Sequence, residues 1–181
     1  MKNAQQVTDI TINDLYQQYP SFDIDVRREQ QLLVSHDVFI FQHPFYWYSV
    51  PAILKQWQDL VLEHGWAYGR KGRMLEGKKL FHAVTTGGRA ASYQKDGYNA
   101  FSMQDFLRPI ERTAKLCRME YWPPYVIHGT HKLDDNDIHL QAAQYADFLE
   151  ALRDDRISGP IPETVNYLNE LLPIPKSLLI K

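Results

Sequence analysis

The chain holds a single cysteine, Cys117, among 181 residues, which excludes an internal disulfide framework and suits a reducing compartment. Neither sign of charge prevails: 20 Lys and Arg against 22 Asp and Glu leave −2 at pH 7 and a pI near 6.4. Without a basic excess, no nucleic-acid partner is expected. No apolar run approaches the roughly 20 residues needed to cross a bilayer. The opening MKNAQQVTD has a Lys but no apolar stretch behind it, so no signal peptide is expected and the cytoplasm is the expected location. Internal repeats and low-complexity stretches are absent too.

What the chain has in quantity is apolar and aromatic surface, with 44% hydrophobic and 13% aromatic residues. That is enough for one sizeable core, and one domain is the natural partition. Residues 1–155 read as that domain. Residues 156–181, Pro-rich and ending in Leu178, Leu179 and Ile180, read as a carboxy-terminal extension.

The pattern of elements is α/β. Val7 to Leu15 alternates Ile10 and Ile12 with polar residues and predicts a strand near a sheet edge. Tyr16 to Asp25 is irregular, and Arg27 to Ser35 reads as a short helix. Val38 to Phe41, continuously apolar, predicts a strand buried on both faces of a parallel sheet. Pro51 suits a first helical position, Ile53, Leu54, Trp57, Leu60 and Val61 recur at helical spacing, and Gly65 supplies a stop. Trp66 to Gly77, dense in Gly, Lys and Arg, reads as an exposed excursion. Lys78 to Thr85 is a further strand. Ser102 caps a helix with Phe106, Ile110, Thr113, Ala114 and Cys117 on one face, bent or divided at Pro109. Tyr125 to Ile127 is a last short strand. A long helix starting at Asp134 to Asn136 aligns Ile138, Ala142, Tyr145, Leu149 and Leu152, and Glu163 to Leu171 reads as a short helix of the extension. Strands alternating with helices predict a parallel sheet covered on both faces.

Two connections stand out chemically. Between the strand at Val38 and the helix at Pro51 lie Phe45, Tyr46, Trp47 and Tyr48, where a turn would ordinarily place Gly, Asn or Asp. After the strand ending at Thr85 come Thr86, Gly87 and Gly88, then Tyr93. Taken singly, the aromatic run is equally a core or dimer contact, and the glycine pair is more often just a turn. His43 and His82 fall on strands and read as satisfied interior histidines. His128 and His131, three apart on a loop near Asp134, lack the further ligands of a metal site, so no metal is expected. Cys117 reads as core rather than nucleophile.

The run FQHPFYWYSVPAILKQWQDLVL resembles the flavin loop and following helix of the NAD(P)H quinone oxidoreductase family, and VTTGGRAASY resembles that family's second ring-contacting loop. The bacterial branch it resembles includes ancillary subunits of glutathione-gated potassium efflux systems. The resemblance implies a flavodoxin-like parallel sheet with helices on both faces, an FMN or FAD cofactor and NAD(P)H as cosubstrate. It implies a quinone-like acceptor, a homodimer, and cofactor contacts from Pro44, Phe45, Tyr46, Trp47, Tyr48, Thr85, Thr86, Gly87, Gly88 and Tyr93. Tyr93 is the implied catalytic donor, its hydroxyl near charge that develops on reduction. An alternative role is a regulatory ancillary subunit of a potassium efflux transporter, peripheral at the inner face of the membrane, with little or no turnover. A blander one is a structural remnant without a ligand.

Two features depart from the family. Its members carry a His a few residues beyond the loop Tyr, where this chain has Tyr98 and Asn99. They also open with a strand, a loop resembling H-P-x-x-S-x-x-N that holds the flavin phosphate, and a helix. This sequence lacks that first strand and helix, and Val7 to Leu15 corresponds to the family's second strand. Because the first strand is interior in the order 2-1-3-4-5, its lack is expected to leave two strands with unpaired edges. Loss of the phosphate anchor lowers the expected flavin affinity by several charge-assisted hydrogen bonds.

Overall fold

The computed structural model describes residues 4–172; the apolar run Leu178 to Ile180 lies outside them. Strands β1 (Val38–Pro44) and β2 (Lys79–Thr85) pair in parallel from Val38 opposite Lys79 to Pro44 opposite Thr85. The other edge of β2 pairs with β3 (Glu120–Tyr121) and then β4 (Tyr125–Ile127), also in parallel. These two are one strand interrupted at Trp122, Pro123 and Pro124, where proline removes the ladder donors.

Helices α2 (Val26–Ser35), α3 (Ala52–Val61) and α4 (Met103–Leu116) cover one face of the sheet. Leu33, Ile53, Trp57, Val61, Leu80, Ile110 and Ala114 form its core, with Cys117 buried among them. The opposite face packs Phe81, Ala83, Trp122 and Tyr125 against Tyr145, Phe148 and Leu149 of α5 (Asp135–Arg153) and against Leu168. The α/β architecture with helices on both faces agrees with the sequence reading.

Several local expectations are corrected. Val7 to Leu15 forms no strand. Asp9 adopts φ 60° there, and the Asp14 carboxylate takes the N–H groups of Tyr16 and Gln17 to start the single turn α1 (Leu15–Gln18). The fully buried parallel strand is β2, not β1, whose residues Val38 to Phe41 are only half-buried. Among the described residues no strand precedes β1, which forms one margin of the sheet, so a single strand edge is without a partner strand there instead of two. Lys79 N–H bonds Asp37 O and Phe45 N–H bonds Thr85 O. Odd-numbered residues of β1 therefore face β2, and the N–H groups of Val38, Ile40 and Gln42 face outward.

Pro51 sits just before α3, as its N-cap. Pro109 neither ends nor divides α4. It removes a single bond, that to Asp105 in the first turn, while the Ser102–Asp105 capping box and buried Met103, Leu107 and Ile110 hold the helix. In α5, Ile138 is exposed and Phe148 is the anchor. Trp66 to Gly77 is more than an exposed excursion: Ala67 and Leu75 are fully buried, and Arg118 donates to Gly69 O and Gly72 O. Of the helix expected over Glu163 to Leu171, only a 3-10 turn, Leu168–Leu171, forms. Leu168 is inserted into the core, and Asn169 Oδ1 and Nδ2 bond Val126 N–H and O at 2.8 and 3.0 Å, capping the β4 edge as a further strand would.

Two buried polar groups tie this framework together. The Glu29 carboxylate accepts from Tyr19 Oη at 2.6 Å, Asn13 Nδ2 at 2.7 Å and Trp57 Nε1 at 2.8 Å, joining α2, α3 and the preceding loop. Replacing Glu29 with Ala orphans these donors, and a loss of about 3–5 kcal/mol in urea unfolding is expected, with Glu29→Gln costing less.

Across β1 and β2, His43 Nδ1 lies 3.0 Å from Pro44 O, so that nitrogen carries the proton. His43 Nε2 then accepts from His82 Nδ1 at 2.8 Å. His82 is not the satisfied histidine expected: its Nε2 is buried without a partner among the described residues. Burial pushes both imidazoles down, His82 furthest, with the neighbouring His43 adding to the effect. Both are therefore neutral in the folded state, and their contribution to stability is complete above the ordinary histidine range and lost as pH falls through and below it. The urea midpoint is expected to drop between pH 7.5 and 5.5, at up to about 1.4 kcal/mol per pH unit for each group. A flat profile would contradict this.

Candidate functional site

Phe45 N–H bonds Thr85 O at 2.9 Å, so the two chemically unusual connections leave the sheet side by side at the carboxyl ends of β1 and β2, where open parallel sheets carry their ligands. The first is a two-residue hairpin. Tyr46 and Ser49 exchange both backbone hydrogen bonds, at 3.1 and 2.9 Å, and Trp47 and Tyr48 between them adopt φ of 49° and 62°. Such a turn ordinarily takes Asn-Gly. Placing Trp and Tyr in this strained region calls for a functional explanation.

The hairpin's inner side is anchored and its tip is bare. Phe45 packs edge-on to Tyr93 at 5.9 Å and to Phe106 at 5.5 Å, and Tyr48 stacks on Phe106 at 5.3 Å. Trp47, by contrast, is 93% exposed, Tyr46 and Tyr48 are about half-exposed, and Tyr98 and Phe101 are also uncovered. This is a large aromatic surface for a protein to leave in water. Pro44 ends β1 beside it, with its carbonyl turned to His43 Nδ1.

In the second connection Thr85 is exposed at the end of β2, whereas Thr86 is buried. Thr86 N–H bonds Ile127 O, and its carbonyl accepts from Thr130 N–H at 3.0 Å and Thr130 Oγ1 at 3.1 Å. Gly88 O accepts from Gly129 N–H at 2.8 Å and from Thr86 Oγ1 at 2.9 Å. The glycines have packing reasons of their own. A Cβ at Gly87 would lie 2.3 Å from His131 Nε2, and one at Gly88 would lie 3.0 Å from Tyr93 Oη. Tyr93 is buried, its hydroxyl over Gly88 and its ring 5.4 Å from that of His128. The ten residues expected at the site thus come together at one rim. The structure adds Phe106 and Phe101 from the α4 end, and His128 and His131 from the loop after β4. Phe106 had been assigned to a helix face. From sequence, His128 and His131 read as a pair without the further ligands of a metal site, and their place beside Thr86 and Gly87 comes from the fold.

A flavin ring needs hydrogen-bond donors along its pyrimidine edge and an apolar face over it. The N–H groups of Trp47, Tyr48, Gly87 and Gly88 make no hydrogen bond among the described residues, so both connections leave main-chain donors free at this rim. With the uncovered rings alongside, the rim fits a planar, acceptor-edged ligand. The amino terminus of α4 beside it is no ready phosphate site, since it is closed by its own Asp105, whose carboxyl is held low by the Ser102 hydroxyl and N–H and by Arg108.

Residues 1–149 match the protein family described as having a flavodoxin-like fold, and the chain belongs to that family. It is a member of the flavodoxin-like NAD(P)H quinone reductases. It is 42% identical over 163 residues to the glutathione-regulated potassium-efflux system ancillary protein KefG of Pectobacterium carotovorum, covering 90% of this chain and 85% of that one. The crystal structure of general stress protein 14 from Treponema denticola, solved in complex with FMN, is 40% identical, with a TM-score of 0.76 over 85% of this chain and 86% of that one. An NADPH-quinone reductase from P. pentosaceus is 31% identical, with a TM-score of 0.73 over 81% and 84%.

The loop that carries Tyr93 turns at Gly97, where a Cβ would lie 2.2 Å from Ala91 O. Gly97→Ala is therefore expected to cost about 1–3 kcal/mol by overpacking and to change the near-ultraviolet circular dichroism of the Phe45–Tyr93–Phe106 cluster. Unchanged spectrum and stability would show that the loop does not hold Tyr93 in place.

Proposed function

We propose that this protein is a flavin-dependent NAD(P)H dehydrogenase that passes two electrons to a quinone or a similar planar acceptor, with FMN as the flavin. The observation that carries the reading is the pairing, at one sheet rim, of four free main-chain donors with uncovered aromatic rings. It is supported by the FMN bound to the Treponema relative and by the NADPH-quinone reductase of related fold.

Bound flavin supplies the redox chemistry, taking two electrons from NAD(P)H and giving them up to the acceptor. The protein's own residues do the rest. Trp47, Tyr46 and Tyr48 offer ring faces that exclude water from a flat ligand. The amides of Gly87 and Gly88 stabilise negative charge on its acceptor edge, as do those of Trp47 and Tyr48. Tyr93, held over Gly88 by Phe45 and Phe106, places its hydroxyl as a hydrogen-bond donor at the same edge. Nicotinamide and quinone both require the uncovered ring face, so they occupy it in turn and the kinetics are ping-pong. A homodimer covers the exposed tip of the hairpin and completes the pocket. The described helices include none long and apolar enough to cross a membrane, and we place the protein in the cytoplasm. A second reading, an ancillary subunit docked on a potassium efflux transporter, is favoured by the 42% identity to KefG.

Titration of the purified protein with FMN is expected to quench Trp47 emission and shift the flavin band, and NADPH should then bleach it. Trp47→Ala should weaken binding by about tenfold, on the scale of about 1–3 kcal/mol for one stacked aromatic. Protein that neither takes up FMN nor shows quenching would overturn the reading. A transporter complex that forms equally well with Tyr93→Phe and without flavin would favour the second.

A further inference from the structure

The donors of the Thr86–Gly88 connection are aimed by a layer of side chains behind them, and one proton arrangement in that layer satisfies every short contact. Thr86 Oγ1 lies 2.9 Å from Gly88 O, which can only accept, so the single hydroxyl proton is committed there. The same oxygen lies 3.1 Å from His128 Nδ1. It has no second proton to give, so His128 Nδ1 carries the hydrogen and donates it. His128 Nε2 is then a bare lone pair, and it is buried with no partner among the described residues. Burial pushes this imidazole down, keeping it neutral. The titratable groups packed on the ring are the phenols of Tyr93, from the loop after β2, and Tyr167, from the carboxy-terminal segment.

The consequence for the rim follows from peptide geometry. All peptide bonds of the described chain are trans, and a trans peptide points its C=O and N–H in opposite directions. Thr86 O is drawn inward by Thr130, which turns Gly87 N–H outward. Gly88 O is drawn inward by Gly129 N–H and Thr86 Oγ1, which turns Arg89 N–H outward. If the other tautomer formed, Nδ1 would become an acceptor, the Thr86 hydroxyl would swing to it, and Gly88 O would lose one of its two inward bonds.

We propose that His128 is a positioning residue of the site, one that through Thr86 fixes the Gly88–Arg89 peptide so that Arg89 N–H joins Gly87 N–H as a donor to the ligand's acceptor edge. This rests on the flavin reading above. It also carries its own prediction: a donor fixed in advance favours the ligand state with more negative charge, so the gain is larger for reduced than for oxidised flavin.

The test has two arms. In the flavin-free protein, ¹⁵N chemical shifts of the His128 ring should give the Nδ1–H tautomer at pH 7. The Nε2–H tautomer would overturn the proposal whether or not FMN binds. In the second arm, affinities for oxidised FMN and dithionite-reduced FMN are compared. His128→Phe keeps a flat ring against Tyr93 but has no donor, and it should weaken reduced FMN roughly tenfold more than oxidised FMN, the scale of one charge-assisted hydrogen bond. That difference would also appear as a lowered midpoint potential of the bound flavin. His128→Asn places an amide N–H near the Nδ1 position and should restore most of the difference. Equal weakening of both states, or no rescue by Asn, would reduce His128 to packing and overturn the proposal. Should wild-type protein bind no FMN while the tautomer is as stated, the flavin reading fails and the orienting role of His128 stands.

Discussion

The site depends on the parallel registry of β1 with β2 and on its extension by one further bond, Phe45 N–H to Thr85 O. A register slip of one residue would turn every side chain of β1 to the other face. It would send His43 out of the layer of His82, and Phe41 out of the layer of Trp57. It would also carry the hairpin tip away from the glycine connection. The buried face below the rim enforces the registry: Phe41 meets both Trp57 and His82 edge-on at 5.5 Å, and His43 meets His82 at hydrogen-bond distance. The rim is thus positioned by packing several residues beneath it.

The strain itself is informative. Trp47 and Tyr48 occupy a region of backbone space that suits glycine or asparagine, and the wide exposure of Trp47 means that packing does not repay the cost. A residue placed against both local preference and burial is the kind that binding explains. The glycine connection presents the opposite case. Gly87 and Gly88 are explained by His131 and Tyr93 closing over them, so the absence of side chains there is a packing requirement of the fold in its own right.

Elements whose signal was local were legible in the sequence: the helices α2 to α5, with the cap at Ser102 and the start near Asp134, and the strand β2 with its apolar Leu80, Phe81, Ala83 and Val84. The two rim motifs were legible too, because their unusual composition is itself local. What escaped depended on distant partners. The alternation of Ile10 and Ile12 was overruled by Asp14 capping a helical turn. Pro109 looked like a break, but one missing bond in a first turn is offset by a capping box. His128 gave no sign of its role, since its Thr86 partner is 42 residues away in sequence and its meaning lies in a proton count. The extension looked helical on composition, yet Leu168 and Asn169 are spent on filling the core and closing a strand edge.

That closure makes the sheet one-sided. Asn169 seals the margin beyond β4, while the outward N–H groups of Val38, Ile40 and Gln42 at the β1 margin have no partner strand among the described residues. A sheet with two bare margins is a template for endless stacking, whereas one with a single bare margin can recruit one more ribbon, or one sister molecule related by a two-fold axis, and then has nothing further to offer. Asparagine, in a segment that composition marks as a mere appendage, therefore withholds the β4 margin from such recruitment.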